Sequence, residues 1–173
     1  MTTNWAGNVT YAATVPHEPE SLDELAEIVA TAPAVRALGS RHSFNRIADT
    51  TGVQVSVARL SGPVQIDSAA HTATVPAGVR YGEIVEQLDR SGWALQNLAS
   101  LPHISVAGAI ATGTHGSGVS NRGLAGAVAG LAIVTADGSA LTAQRGDAGF
   151  DGMVVSLGCL GIVTRATLDI VPT

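Results

Sequence analysis

Cysteine is nearly absent: Cys159 is the only one in 173 residues. One thiol closes no internal disulfide and supplies no cluster for zinc or iron–sulfur. Set in Leu157-Gly158-Cys159-Leu160-Gly161, it is expected to be a small, buried core residue. Basic charge is also scarce, with nine Lys and Arg against fourteen Asp and Glu and a formal net charge of -5. No basic run occurs anywhere, so neither nucleic acid nor an anionic membrane surface is expected as a partner. No uninterrupted apolar run approaches the ~18 residues of a membrane span. The stretch Met1 to Tyr11 has no basic segment followed by an apolar one, which makes a cytoplasmic protein the expectation. The five histidines include no pair at helical ligand spacing, so no metal site is expected. Two nucleotide signatures are missing as well: there is no Gly-Xaa-Gly-Xaa-Xaa-Gly after a strand, and no Gly-Lys-Ser/Thr loop. A Rossmann nicotinamide site and a nucleotide triphosphatase are therefore disfavoured.

The chain does hold apolar residues, 46% of the total, and twenty glycines, but only 3% aromatics. At this length the apolar fraction suffices for a core. Glycine at this density suggests backbone that approaches something closely.

The first clear element starts at Ser21, whose hydroxyl can cap a helix while Glu24 returns a bond to the Ser21 amide. Leu22, Leu25, Ala26, Ile28 and Val29 form its apolar stripe, and Pro33 ends it. Short strands at Val35 to Leu38 and Gln54 to Val57 then point to a small parallel α/β unit. Ser61-Gly62-Pro63 breaks the chain and separates residues 1–62 from residues 63–173. Beyond the break, Val64 to Asp67 and Thr72 to Val75 read as a hairpin. A helix follows from Tyr81 to Arg90, with Gly92 as its stop. The region Asn97 to Gly130 shows no clean period of either kind. Leu131 to Thr135 and Ala140 to Gln144 flank the hairpin pair Asp137-Gly138. A helix from Asp147 to Leu157 and a strand from Ile162 to Ile170 complete an α+β pattern.

Two loops carry chemistry. Gly39-Ser40-Arg41-His42-Ser43 leaves a buried strand with several backbone amides close together and little side-chain bulk, a nest suited to diphosphate oxygens. The pentapeptide alone is equally a tight turn bearing a surface histidine. The second loop sets Ser105, Thr112, Thr114, His115 and Ser117 among Gly108, Gly113, Gly116 and Gly118. There, small residues admit a ligand to the backbone while hydroxyls bond phosphate or ring edges. His17 and His71 sit in polar turns and are expected to be solvated, and His103 follows Pro102 close to the second loop.

The segments Gly39 to Asn45, Asn97 to Gly108 and Ala111 to Gly118 together resemble the flavin-binding segments of the vanillyl-alcohol-oxidase (PCMH-type) superfamily. Within it they are most similar to alditol and xylitol oxidases. The resemblance implies an α+β fold in which two subdomains, 1–62 and 63–173, clasp an extended FAD. Carried over position by position, Ala37, Leu38, Gly39, Ser40, Arg41, His42 and Ser43 wrap the diphosphate, and the His42 imidazole is the site of a covalent bond to the 8α-methyl of the isoalloxazine. Arg41 departs from the small residue usual before the attachment histidine. Ser100, Ser105, Gly108, Thr112, Gly113, Thr114 and His115 line the flavin, the backbone of Ile162 approaches the adenine, and Ser100 also faces a polyol substrate. Relatives of this kind carry a C-terminal substrate domain after the flavin domain, and that domain is expected to be absent from this chain. No catalytic residue is therefore assigned within it. The implied activity is oxidation of an alditol such as xylitol, with dioxygen reduced to hydrogen peroxide. The alternatives are the flavin domain of an aldonolactone oxidase or dehydrogenase, or a flavin-binding module without turnover of its own.

Overall fold

A computed structural model describes residues 2–13 and 15–173. Helix α1 (Leu22–Thr31) begins where Ser21 Oγ accepts from the Glu24 amide, but the Glu24 carboxylate accepts from the amide of Glu20, not Ser21. The expected capping box is thus displaced by one residue at its return bond. Strand β1 (Val35–Ala37) and strand β2 (Val53–Val55) pair in parallel, as the α/β pattern predicts. His17 is exposed as expected, yet its backbone bridges to β2 and is not in a polar turn: its amide donates to Gln54 and its carbonyl accepts from Ser56.

The larger sheet has five strands. Strands β3 (Gln65–Asp67) and β4 (Thr72–Pro76) form the expected hairpin, and helix α2 (Tyr81–Arg90) follows with Gly92 at φ 78° behind it. The two-residue strand β5 (Trp93–Ala94) and the short helix α3 (Val106–Ala111) come next. A 3-10 turn (Leu124–Ala127) leads into strands β6 (Val128–Val134) and β7 (Ala140–Gln144). Helix α4 (Phe150–Val154), strand β8 (Ile162–Asp169) and strand β9 (Val171–Pro172) finish the chain. The sheet runs β3-β4-β8-β6-β7 with every neighbouring pair antiparallel, while β5 and β9 form a separate pair.

Alternation fixes which face of the sheet is covered. Ile162, Thr164, Ala166 and Leu168 of β8 are buried, and their neighbours Val163, Arg165, Thr167 and Asp169 are only half-buried. Against the buried face lie Tyr81 and Ile84 of α2 and Val106, Ala109 and Ile110 of α3. A second cluster joins Leu25 and Val29 of α1 to Val55 of β2 and to Val134 and Ile162, at the ends of β6 and β8. The Asp137-Gly138 turn presses on α1: a Cβ at Gly138 would lie 2.9 Å from the Ala26 carbonyl and 3.1 Å from the Ala30 methyl. The small parallel unit is therefore docked on one end of the large sheet.

Two further expectations need correcting. Cys159 is exposed, because left-handed residues Leu157 (φ 54°) and Gly158 (φ 71°) turn the chain outward and leave its Sγ 3.6 Å from Arg36 Nη1. Helix α4 covers only Phe150–Val154 of the expected 147–157. Asp147 is held in a turn by the Gln144 amide, and Gly149 at φ 82° forms a left-handed entry. The region 97–130, which shows no clean period in sequence, contains α3, whose Val-Ala-Gly-Ala-Ile-Ala sequence is too uniformly small and apolar to show a helical stripe.

Candidate flavin-binding site

Between the parallel β1–β2 pair and the five-stranded sheet opens a cleft of about 970 Å³, large enough for a sizeable ligand. One wall is the loop leaving β1, Ala37 to Asn45, and another is Ile104, Ser105 and Ala107 to Ala109 at the start of α3. Val57 and Ala58 line it where they meet Gly78, beside Ala77, and Leu157, Gly158, Gly161 and Ile162 line it as well.

The loop after β1 leaves its backbone donors uncommitted. The Leu38 amide donates to Val55, but none of the amides of Gly39, Ser40, Arg41, His42 and Ser43 has an acceptor among the described residues. Arg41 adopts φ 64°, a left-handed conformation that costs a non-glycine residue about 1–2 kcal/mol and turns successive amides toward one side. Uncommitted donors in series are costly unless an acceptor or solvent meets them. Arg41 and Arg80 line the same cleft, and their guanidinium groups form no salt bridge among the described residues, although the Arg80 amide donates to Glu83 Oε2. The Arg41 side chain turns back toward the Thr3 carbonyl, at 3.4 Å.

Ser40 and Ser105 stitch the two walls together. Ser40 Oγ accepts from the Ser105 amide at 3.1 Å, whereas Ser105 Oγ is buried and has no partner. That hydroxyl lies where side chains at Gly39 or Gly108 would start: a Cβ on either residue would come within 2.7 Å of it. Both positions must stay bare for the walls to meet. The start of α3 is not a free anion site, since the Val106 and Ala107 amides already donate to the carbonyls of Val79 and Ala77.

His42 closes the nest. Its ring stacks on Trp5 with centroids 4.8 Å apart and meets His103 at 4.6 Å, and the Nε2 atoms of both histidines are buried without a partner. Burial, aided by the neighbouring His103, lowers the His42 pKa from its ordinary value. The imidazole is thereby biased to its neutral, nucleophilic form.

Not every residue expected at the site reaches it. Ala37 to Ser43, Ser105, Gly108, Thr112, Thr114 and Ile162 line the cleft; Ser100, Gly113 and His115 do not. Ser100 is exposed on the loop before α3, and Gly113 at φ 68° ends that helix. His115 is exposed and bonds through Nδ1 to its neighbour Gly116. The second loop instead packs on the Asn97 segment, where a Cβ at Gly116 would collide with the Leu98 carbonyl and the Asn97 side chain. Sequence reasoning missed Gly78, Gly158, Gly161 and Trp5. The glycines lie outside recognisable motifs, and nothing local to Trp5 announces its pairing with a residue far along the chain.

The family model described as "FAD binding domain" matches residues 14–144. The chain belongs to the FAD-binding domain family. An alditol oxidase from Streptomyces sp. is 49% identical over 98% of this chain and 42% of its own length. An L-gulono-1,4-lactone dehydrogenase of Mycobacterium tuberculosis is 36% identical over 98% of the chain and 40% of its own length. An L-gulonolactone oxidase of Mus musculus is 33% identical over the same shares. The chain thus spans about two fifths of these relatives. Among solved structures, a cholesterol oxidase from B. sterolicum superimposes with a TM-score of 0.83 at 21% identity, covering 98% of this chain and 36% of that one. The expected α+β, PCMH-type flavin-binding architecture is therefore the one found. The uncommitted amides, the orphaned Ser105 hydroxyl and the bare Gly39 and Gly108 fit FAD, the cofactor of the family.

Proposed function

We propose that this chain is the flavin-binding part of an oxidase that acts on alditols such as xylitol, with His42 covalently attached to FAD. The observation that carries the flavin site is the run of five uncommitted amides, Gly39 to Ser43, ending at a partly buried imidazole on the wall of the cleft. The substrate class rests on the 49% identity to an alditol oxidase, against 31–36% for the aldonolactone enzymes.

In this reading the two lobes, 1–62 and 63–173, clasp the cofactor. Amides 39–43 hold the diphosphate, with Arg41 and Arg80 supplying positive charge. Ser105 Oγ and Thr114 donate to the flavin from the opposite wall, the Thr112 hydroxyl, whose proton goes to the Gly108 carbonyl, can only accept there, and Gly39 and Gly108 let the backbone come close. His42 keeps its imidazole neutral and aimed into the cleft. Bound there, FAD supplies hydride acceptance from an alcohol carbon and transfer of two electrons to dioxygen. A histidyl link makes the flavin a stronger oxidant and prevents its loss. Ser100 is proposed as a polyol contact once the rest of the relatives' length is present. Gly113 and His115 support the cleft from behind, without direct contact.

The test is FAD titration, followed by peroxide assays of the full-length protein on xylitol, sorbitol and L-gulono-1,4-lactone. Saturable FAD binding with faster turnover of the polyols is expected. Preference for the lactone would move the assignment to the aldonolactone enzymes, and absence of flavin binding by folded protein would remove the site altogether.

A further inference from the structure

The residues that surround His42 come from far apart and serve no evident purpose in the core. Residues 4–9 form a closed turn: the Asn4 amide donates to the Val9 carbonyl, and the Val9 amide donates to Asn4 Oδ1, both at 3.0 Å. This turn grips the backbone on both sides of His42. The Trp5 amide donates to the Arg41 carbonyl at 2.9 Å, and Asn4 Nδ2 donates to the Ser43 carbonyl at 3.0 Å. One residue further on, Asn8 Nδ2 donates to the Phe44 carbonyl at 3.1 Å.

The same turn lays the Trp5 ring on the His42 imidazole, at an interplanar angle of 30°. Trp5 is 61% exposed, so its ring is not there to fill the interior. His103 meets the imidazole from a second direction, and the Trp5 and His103 centroids are 6.4 Å apart. With separations of 4.8 and 4.6 Å from His42, the two rings subtend about a right angle at the imidazole. One face and one flank of His42 are therefore blocked, and rotation about its side-chain bonds is confined.

We propose that Trp5 and His103 are positioning residues for covalent attachment of flavin at His42, holding the imidazole so that one ring nitrogen faces the 8α-carbon. The proposal rests on the reading of His42 as the attachment residue. Attachment exchanges an imidazole N–H and an 8α C–H for one C–N bond. The two electrons and two protons released pass by way of the isoalloxazine to dioxygen, which becomes hydrogen peroxide. A bond of this kind forms fast only when the reacting atoms are held ~3–3.5 Å apart with the right orientation, and a freely turning imidazole spends little time there. A merely structural stack would affect stability and flavin affinity, but not the attachment step selectively.

The experiment uses the full chain prepared without flavin and then mixed with FAD in air. Two quantities are followed: reversible binding, by titration at early times, and acid-stable flavin fluorescence, over hours. Trp5→Ala and His103→Ala should each slow attachment by ~10- to 100-fold while reversible affinity changes by no more than ~3-fold. Trp5→Phe and His103→Phe, which keep an aromatic ring, should recover attachment to within a few-fold of the parent. Melting temperatures of the flavin-free variants identify any that fail to fold, and the phenylalanine pair then decides alone. Parent-like attachment in both alanine variants would overturn the proposal. So would a His103→Phe variant as slow as His103→Ala, because His103 would then act through its nitrogen and not through its ring. If the parent chain binds FAD but never yields acid-stable flavin, the His42 link itself is wrong and the proposal goes with it.

Discussion

Replacing Gly78 with alanine tests whether the cleft walls meet as closely as the structure has them. Gly78 lies opposite the chain that follows β2, and a Cβ there would come to 2.7 Å from the Val57 carbonyl carbon and 2.8 Å from the Ala58 Cα, with the Val57 oxygen closer still. Ordinary contact begins at 3.4 Å, so the added methyl intrudes by about 0.6–0.7 Å on these two carbons and further on the oxygen, all of it backbone that no side-chain rotation can relieve. Overpacking of this kind costs about 1–3 kcal/mol. In a domain of this size each kcal/mol lowers the melting temperature by about 2–4 °C, so a loss of about 2–12 °C is expected. The two sides of the cleft would also be pushed apart where they meet, and FAD affinity should fall by ~10-fold or more. Gly152→Ala is the control: it sits in α4 with nothing within 4 Å of the place its new methyl would occupy, and should raise stability by up to about 1 kcal/mol. Thermal unfolding by circular dichroism and FAD titration measure both effects. A Gly78→Ala protein that melts within about 1 °C of the parent and binds FAD equally well would show that the walls do not touch there.

Ser105→Ala removes a buried hydroxyl with no protein partner. The flavin-free chain should gain about 1 kcal/mol in thermal melts, while FAD titration should show a loss of ~3- to 10-fold, the worth of one hydrogen bond. Unchanged affinity would place the hydroxyl away from the flavin. His42→Ala should abolish acid-stable fluorescence on a denaturing gel, and any persistence of the signal would move the link to another residue. Asp137 gives a pH prediction. The Thr135 hydroxyl first, then the Ser139 amide and hydroxyl, hold its carboxyl at about 2, below the ordinary 3.8. The folded chain thus binds fewer protons than the unfolded one, so this stabilisation is complete above pH ~4 and lost as pH falls to about 2. Acid melts of Asp137→Ala should be flatter than the parent over that interval, and an identical slope would refute the role of the turn.

The regular elements with a strong local signal were legible in the sequence. Tyr81–Arg90 is a helix at the expected bounds, because Ile84 and Leu88 recur on one face and Gly92 stops it. The 35–55 parallel pair and both hairpins also follow from their patterns. Helix α3 was not legible, since it is short, packed against β8 and the turn at 124–127, and made only of small apolar residues. The pairing of β5 with β9 joins two-residue strands distant in sequence, and nothing local marks either of them. Within the site, the loop at 39–43 showed in its own residues only that consecutive amides lie close together with little side-chain bulk, a pattern shared with a plain tight turn; the extension to 37–43 came from the family resemblance. The glycine-rich run at 111–118 could be read only in part. It has the composition of a ligand loop, but Gly113 and His115 turn away while Thr112 and Thr114 face the cleft, a distinction set by one helix end.

The place of β8 in the sheet has a consequence for how the protein is made. The two hairpins, β3–β4 and β6–β7, do not touch each other in the sheet; β8 is the strand between them, and it is the last long strand in the chain. Until Ile162–Asp169 has left the ribosome, each hairpin keeps an unpaired inner edge, the kind of surface that invites pairing with another chain. The pairing of Thr72 with Asp169 must then close a loop of nearly a hundred residues, a slow, long-range event. Gly161 and Ile162 at the start of β8 also form one end of the cleft. A nascent chain therefore carries the loop 39–43 long before it has the opposite end of the cleft, and completion of the cleft waits for the strand that joins the two halves of the sheet.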